Sequence, residues 1–335
     1  MVSIIVPCFN EEKAIGACLR SILAQTYTRS KLQIIVVDGN SNDKTREVIQ
    51  DITKDGDIIL LDNPLRTPPY ALNIGLKAAI GDLIMRVDGH TILAPDYVEI
   101  CVAALISGDY DCVGGAIRNR FSTAMGMVNA AVLGSRFGVG NSDFRTAKKR
   151  MLVDTVAFGV YRRTVFDKIG LFNENLSRNQ DIEFNQRLIK AGGRILLEPR
   201  AIAFYQVRET LKGLMEQGYV NGKWNIISTR IAGSHLKLRH FIPMIFVTML
   251  GLALAISLLT WVPLAALSIA YGLFLLTATF DMAQDVKPKV IVLLPFATAL
   301  LHLSYGCGSW AAVFDAGNNK KKVMVGDRRE AACSD

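Results

Sequence analysis

Charge is missing from a long part of this 335-residue sequence. From Phe241 to Phe280, 40 residues in a row, there is no Asp, Glu, Lys, Arg or His, and Val290 to Phe314 holds a single ionisable residue, His302. One bilayer-crossing helix needs about 20 apolar residues, so these stretches exclude an ordinary soluble protein. Residues 1–240 are charged in the usual way, which excludes a pure channel or transporter. Disorder is excluded by a chain that is 50% hydrophobic and 20% charged, with a net charge of only +8. Histidine and cysteine are scarce, at four and six, with no Cys-x-x-Cys pair and no zinc spacing. The cysteines are therefore expected to be reduced, with Cys8 and Cys112 packed in strands. No Gly-x-Gly-x-x-Gly, Gly-Lys-Ser/Thr or Gly-x-Ser-x-Gly motif occurs, which argues against glycine-cradled phosphates and a serine-hydrolase elbow. No internal repeat is visible. The opening residues run straight into Ile-Ile-Val-Pro without a basic n-region, so no signal peptide is predicted and the polar part is expected in the cytoplasm.

Short β-branched runs alternating with helical spacing fill the first third of the chain. Val2–Val6, Gln33–Val37, Asp57–Leu61 and Asp82–Val87 read as strands buried on both faces, and residues 12–25, 45–53 and 69–79 read as helices. This alternation predicts an α/β fold with a mainly parallel sheet flanked by helices. Asn10 is the expected cap for a helix entering at Glu11-Glu12, and Asp43 for one entering at Thr45. Farther on, 95–106 and 181–191 read as helices and 112–117 and 155–161 as strands. Residues 211–227 read as an amphipathic, interfacial helix.

These features divide the chain into a polar domain (1–210), an interfacial segment (211–240), a membrane region (241–314) and a basic tail (315–335). Within the membrane region, spans are expected at about 241–261 and 262–280, with a third apolar segment at 290–314. Arg230, Lys237 and Arg239 before the first span, and Lys287 and Lys289 after the second, favour the cytoplasmic side. Five Lys and Arg residues in the tail favour the same side. A third full span would put the tail outside, so either 290–314 lies along or re-enters the membrane, aided by Gly306 and Gly308, which is the favoured reading, or the charge rule fails here.

Ligands of such sheets bind beyond the carboxyl ends of the strands, where Pro7–Glu11, Asp38–Ser41 and Asp88–His90 fall. Asp38 suits contact with a base or ribose, or serves only its own turn. Asp88 and His90 offer carboxylate oxygen and imidazole nitrogen, which suit Mn²⁺, or Mg²⁺ through the carboxylate; the same residues also make an ordinary Asp-Gly turn. Asp181 opens a helix, where a carboxylate favours the dipole or, facing a cleft, removes a proton.

Taken as a set, five segments spanning most of residues 1–190 carry a specific resemblance. They are Val2–Glu12 (VSIIVPCFNEE), Val36–Thr45 (VVDGNSNDKT), Ala71–Gly75 (ALNIG), Arg86–His90 (RVDGH) and Asn179–Asp181 (NQD). The chain resembles the inverting family-two glycosyltransferases with the GT-A nucleotide-sugar-binding fold, in the branch that includes succinoglycan-type exopolysaccharide glucosyltransferases. The resemblance implies that Pro7, Asn10 and Glu11 line the nucleotide pocket, that Asp38 contacts uracil and that Asn73 helps hold the nucleotide sugar. It also implies that Asp88 and His90 hold the divalent metal, Mn²⁺ or Mg²⁺, and that Asp181 is the base. Gly39, His90 and Gln180 depart from the family pattern, each standing where an acidic residue is common.

The expected activity is transfer of a hexose, glucose from UDP-glucose, to a polyprenyl-diphosphate-linked saccharide. The implied setting is cell-surface polysaccharide assembly at the inner (plasma) membrane, by a multi-pass protein with no nucleic-acid partner. Alternatives are transfer to a lipid phosphate, a membrane nucleotidyltransferase, and a binding-only protein.

Overall fold

The computed structural model describes residues 1–53, 56–140, 143–233 and 237–315. The tail beyond Asp315, with its basic cluster and Cys333, lies outside the described residues. Two compact units divide the chain, one of residues 1–118 with 147–205 and one of residues 119–146 with 206–315 among those described.

In chain order the first stretch runs β1 (Val2–Cys8), α1 (Ile15–Leu23), β2 (Leu32–Asp38), α2 (Thr45–Ile52), β3 (Ile58–Asp62), α3 (Pro68–Ala78), β4 (Leu83–Arg86), β5 (Ile92–Leu93), α4 (Tyr97–Ser107) and β6 (Cys112–Arg120). Three helices follow, α5 (Ala124–Gly134), α6 (Arg136–Val139) and α7 (Asp143–Thr146). Then come β7 (Met151–Leu152), β8 (Ala157–Arg162), α8 (Arg163–Ile169), α9 (Gln180–Lys190) and β9 (Ile195–Gln206).

One nine-stranded sheet forms the first unit, in the order β3-β2-β1-β4-β8-β6-β9-β5 with β7 on β9. The pairs β3–β2, β2–β1 and β1–β4 are parallel, whereas β4–β8 and β8–β6 are antiparallel. Successive residues Ile4, Ile5 and Val6 are all buried, as a strand covered on both faces requires. Each such side chain contributes about 1.5–3 kcal/mol of burial. Chain order reverses at β1, because β2 lies on one side of it and β4 on the other. That reversal opens a crevice beyond the carboxyl ends of β1 and β4. Helix α3 enters through Pro68 and Pro69 and lies close on β1, since a Cβ at Gly75 would overlap the Ile5 side chain.

Two local expectations differ in outcome. Asp43 serves the start of α2, its Oδ1 accepting from the Thr45 amide at 2.9 Å. Asn10 caps no helix: it has φ 55°, its Oδ1 accepts from the Asn42 amide at 3.0 Å, and its amide donates to Ser41 Oγ at 2.9 Å. The loop after β1 is thereby laced to the loop after β2, and α1 begins only at Ile15. Among the described residues the five cysteines are free, and Cys8 and Cys112 sit in β1 and β6.

The second unit adds α10 (Leu211–Ala232), α11 (Ile242–Ile256), α12 (Val262–Met282) and α13 (Leu294–Phe314). By length and composition two helical stretches can cross a bilayer, Val262–Asp285 and Pro288–Phe314. Their sparse burial within the protein points to membrane association. Helix α11, with 15 residues, extends about 22 Å, less than a hydrocarbon core of about 30 Å. Gly306 and Gly308 are the glycines expected to help the last segment lie along or re-enter the membrane. Both lie inside the continuous helix α13, where they admit the backbone of Pro243 and of Tyr219. Helix α10 turns Gly218 and Gly222 to α13, and Arg230 Nη1 donates to the Ala312 carbonyl at 2.5 Å, satisfying a free carbonyl at that helix end.

A Cβ at Gly222 would overlap the Tyr305 carbonyl, which is backbone and cannot swing aside. Gly222→Val is therefore expected to destabilise the α10–α13 pair by about 1–3 kcal/mol. The expected readout is a lowered thermal midpoint in detergent. Gly272→Val, at a position with nothing within 4 Å, should leave the midpoint unchanged; equal midpoints for both variants would disprove the close approach.

Candidate active site

Three loops leave the carboxyl ends of β1, β2 and β4, and hydrogen bonds tie the first two together. Besides the Asn10 contacts, the Glu11 amide donates to Thr45 Oγ1 at 2.7 Å and the Lys44 amide to Glu12 at 3.0 Å. The third loop comes within reach because Gly89 has no side chain: a Cβ there would sit 3.2 Å from Cys8 Cβ. Gly39 is similarly confined, with Phe9 Cβ 3.2 Å from its Cβ position. Pro7 lies at the end of β1, opposite Val37.

The β4 loop brings His90 onto Glu11, Nδ1 to Oε1 at 2.8 Å. Burial disfavours a charge on His90, but the hydrogen bond and charge of Glu11, with Asp88, outweigh it and hold the imidazole pKa above its ordinary value. Asp88 shows the opposite balance. Burial pushes its carboxyl up, and the charges of Arg86 and His90 outweigh that and hold it below the ordinary range.

Arg86, the last residue of β4, is 9% exposed. Its Nη2 lies 2.5 Å from Asp88 Oδ1 and its Nη1 lies 3.6 Å from Asp181 Oδ2. Asp181 sits in the first turn of α9. The two carboxylates, far apart in sequence, thus meet on one guanidinium. That guanidinium is under-used: Nε and Nη1 are buried without a hydrogen-bond partner, a situation that ordinarily costs about 1–3 kcal/mol per group. Glu183 is turned elsewhere, onto Arg187 at 2.7 Å.

Asp38 and Asn73 occupy a different kind of place. Asp38 is fully buried and its oxygens accept from Ser41 Oγ at 2.5 Å, the Ser41 amide at 3.1 Å and Arg46 at 2.9 Å. It orders the loop that leaves β2. Asn73 spends its amide on Phe172 and Glu174, at 2.9–3.0 Å, and so braces the segment before α9. At the rim, Arg66 lies 5.6 Å over the Phe9 ring, forming a flat cationic face beside the Asp38 loop that no motif announces. Arg86 does leave a sequence signal: an arginine ending the apolar run Leu83-Ile84-Met85 needs a buried partner.

Among the described residues no group of three or more His, Cys, Asp and Glu is arranged to hold a metal alone. The donors still fit a divalent cation that takes its other ligands from phosphate oxygens. Asp88 has an oxygen beyond the one on Arg86. With Nδ1 of His90 on Glu11, the ring nitrogen left for coordination is Nε2, the arrangement in which a carboxylate orients a ligating imidazole.

Comparison with known proteins identifies the family and the fold. The chain is 28% identical over 315 residues to a dolichyl N-acetyl-α-D-glucosaminyl phosphate 3-β-D-2,3-diacetamido-2,3-dideoxy-β-D-glucuronosyltransferase of Methanococcus voltae, covering 91% of this chain and 95% of that one. It is 28% identical over 324 residues to the succinoglycan biosynthesis protein ExoA of Rhizobium meliloti, with 93% and 94% covered. Its fold is shared with the mannosyltransferase PcManGT of Pyrobaculum calidifontis, solved with GDP-Man and Mn²⁺. The TM-score is 0.56 at 18% identity, over 96% of this chain and 88% of that one. The α/β architecture is thus the GT-A fold. The family model described as "Glycosyl transferase family 2" matches residues 3–170: the chain belongs to that family and is a glycosyltransferase.

Proposed function

We propose that this protein is a membrane-anchored, divalent-metal-dependent inverting glycosyltransferase. It transfers a hexose, glucose from UDP-glucose, to a polyprenyl-diphosphate-linked saccharide during cell-surface polysaccharide assembly. The observation that carries this reading is the meeting of Asp88 and Asp181 on Arg86 at the carboxyl end of β4. A carboxylate for the donor side and one for the acceptor side stand at one crevice. Two relatives of nearly full length, one named for a dolichyl-linked acceptor and one for succinoglycan synthesis, support the acceptor class. PcManGT, with GDP-Man and Mn²⁺, supports a nucleotide sugar and a metal. The apolar helices 262–285 and 288–314 support membrane anchoring; the reading places the protein at the inner membrane, in several passes, with the active-site unit cytoplasmic.

The loops of Pro7–Glu11 and Asp38–Ser41 receive the nucleotide, with Asp38 holding the second loop in shape and Asn73 bracing the segment that leads to the base. Asp88 and His90 would hold the cation, Mn²⁺ or Mg²⁺, which would supply positive charge to the leaving diphosphate. Asp181, 35% exposed, takes the proton from the acceptor hydroxyl as its oxygen bonds to the anomeric carbon. The bond from that carbon to the diphosphate breaks on the opposite face, UDP leaves, and the configuration inverts.

The test is a panel of UDP- and GDP-sugars given to membranes containing the protein, with lipid-linked saccharide, lipid phosphate or neither, and with Mn²⁺ or chelator. Metal-dependent UDP release coupled to labelling of the lipid-linked saccharide is expected. Labelling of the lipid phosphate would move the acceptor assignment, pyrophosphate release would make it a nucleotidyltransferase, and UDP binding without turnover would make it a binding protein.

A further inference from the structure

The guanidinium of Arg86 is the one buried charge in the site that the transfer reaction as described does not use. It lies between two carboxylates with different tasks, hydrogen-bonded to Asp88 at 2.5 Å and ion-paired with Asp181 at 3.6 Å. Its Nη1, which faces Asp181, and its Nε have no hydrogen-bond partner. A lysine has one charged nitrogen and would satisfy one carboxylate; arginine alone presents two terminal nitrogens in a fixed fork. Arg86 is fixed at the end of β4, whereas Asp88 and Asp181 are each about one-third exposed and belong to a loop and a helix start. The carboxylates can therefore exchange on a stationary cation.

We propose that Arg86 is a positioning residue that couples cation loading at Asp88 to the placement of the base Asp181. This rests on the reading of those two carboxylates given above. Before a cation is present, Arg86 neutralises Asp88. When Asp88 turns to a cation, the guanidinium passes its hydrogen bond to Asp181 through the unpartnered Nη1, and this holds the base toward the acceptor. Asp181 thus takes over the charge of the stationary Arg86 as Asp88 leaves it, and eases cation binding at a distance.

The experiment is a mutant cycle read on Mn²⁺ affinity, by the electron paramagnetic resonance of free Mn²⁺, with the full chain in detergent and saturating UDP. Asp181→Asn is expected to weaken Mn²⁺ binding about 3- to 10-fold, because Arg86 then rests wholly on Asp88; a coupling of this size is common between contacting residues. Asp181→Glu, which keeps a carboxylate within reach of Nη1, should bind Mn²⁺ within about twofold of the parent while transferring sugar poorly. In the Arg86→Lys background the Asp181→Asn change should shift affinity by less than about twofold. An equal effect of Asp181→Asn in both backgrounds, as through-space charge alone gives, would overturn the coupling. So would identical Mn²⁺ affinities for Asp181→Asn and Asp181→Glu, a comparison that stands even if Arg86→Lys fails to fold. Absence of Mn²⁺ uptake by the parent protein with UDP would instead overturn the metal assignment, and the coupling with it.

Discussion

Asp181→Asn is expected to lower sugar transfer by about 10²–10⁴-fold while UDP still binds. The substitution keeps the size and shape of the side chain and removes its negative charge, and with it the ability to take a proton. Because the side chain is 35% exposed and contributes to the fold mainly through the start of α9, the loss of stability should stay near the 0.3–1 kcal/mol of a helix-end charge. Protein, membrane insertion and UDP affinity are thus preserved while the chemical step fails. The assay is initial-rate transfer with labelled donor beside calorimetric binding of UDP. Transfer within threefold of the parent would remove Asp181 from the base role, since no other carboxylate of α9 is placed for it: Glu183 is committed to Arg187.

Asp88→Asn should have a broader effect, striking donor binding, catalysis and stability together. The carboxylate is both the proposed cation ligand and the hydrogen-bonded counter-charge of Arg86, and its removal leaves a buried guanidinium with only the longer Asp181 contact. Breaking a fully buried pair costs about 3–5 kcal/mol; with Asp88 one-third exposed, about 2 kcal/mol is the expected loss after solvent screening. The direction of the pH effect follows from the depressed carboxyl. Its stabilisation is complete above the ordinary value of 3.8 and is lost as pH falls through the lower folded value. The variant should therefore lie below the parent at pH 6 and converge with it in acid. Parallel unfolding curves at pH 6 and pH 3 would contradict the ion pair, and unchanged Mn²⁺-dependent UDP binding would contradict the ligand role.

Much of this site is legible because strand ends are local features. Uninterrupted apolar runs such as Ile34–Val37 announce buried parallel strands, and the polar residues that follow must lie on the binding rim. Position on the rim does not say what a side chain does there. Asp38 and Asn73 both fall where ligand contacts are expected, yet their polar atoms are spent on Ser41, Arg46, Phe172 and Glu174. The Asn73 bonds form only once separate segments pack, whereas those of Asp38 close its own loop through Ser41 and Arg46. Strand β9 gives a weak signal for a related reason: Glu198, Pro199 and Arg200 interrupt its apolar pattern, and its strand character comes from pairing with β5 and β7. The glycines of α13 read in isolation as aids to a re-entrant or surface-lying segment; in the fold, helices α10 and α11 lie against them and they are close-packing positions.

The sequence by itself determined the order of strands and helices in the first third of the chain, the three polar strand ends and the charge-free region after residue 240, because each depends on neighbouring residues alone. Only the tertiary structure decided that Glu11 faces His90 and that Asp88 and Asp181 share Arg86. The physical reason is that a buried charge must find its counter-charge wherever the fold brings one. Here the carboxyl end of β4 and the start of α9, separated in the chain by the four strands β5 to β8, supply it together.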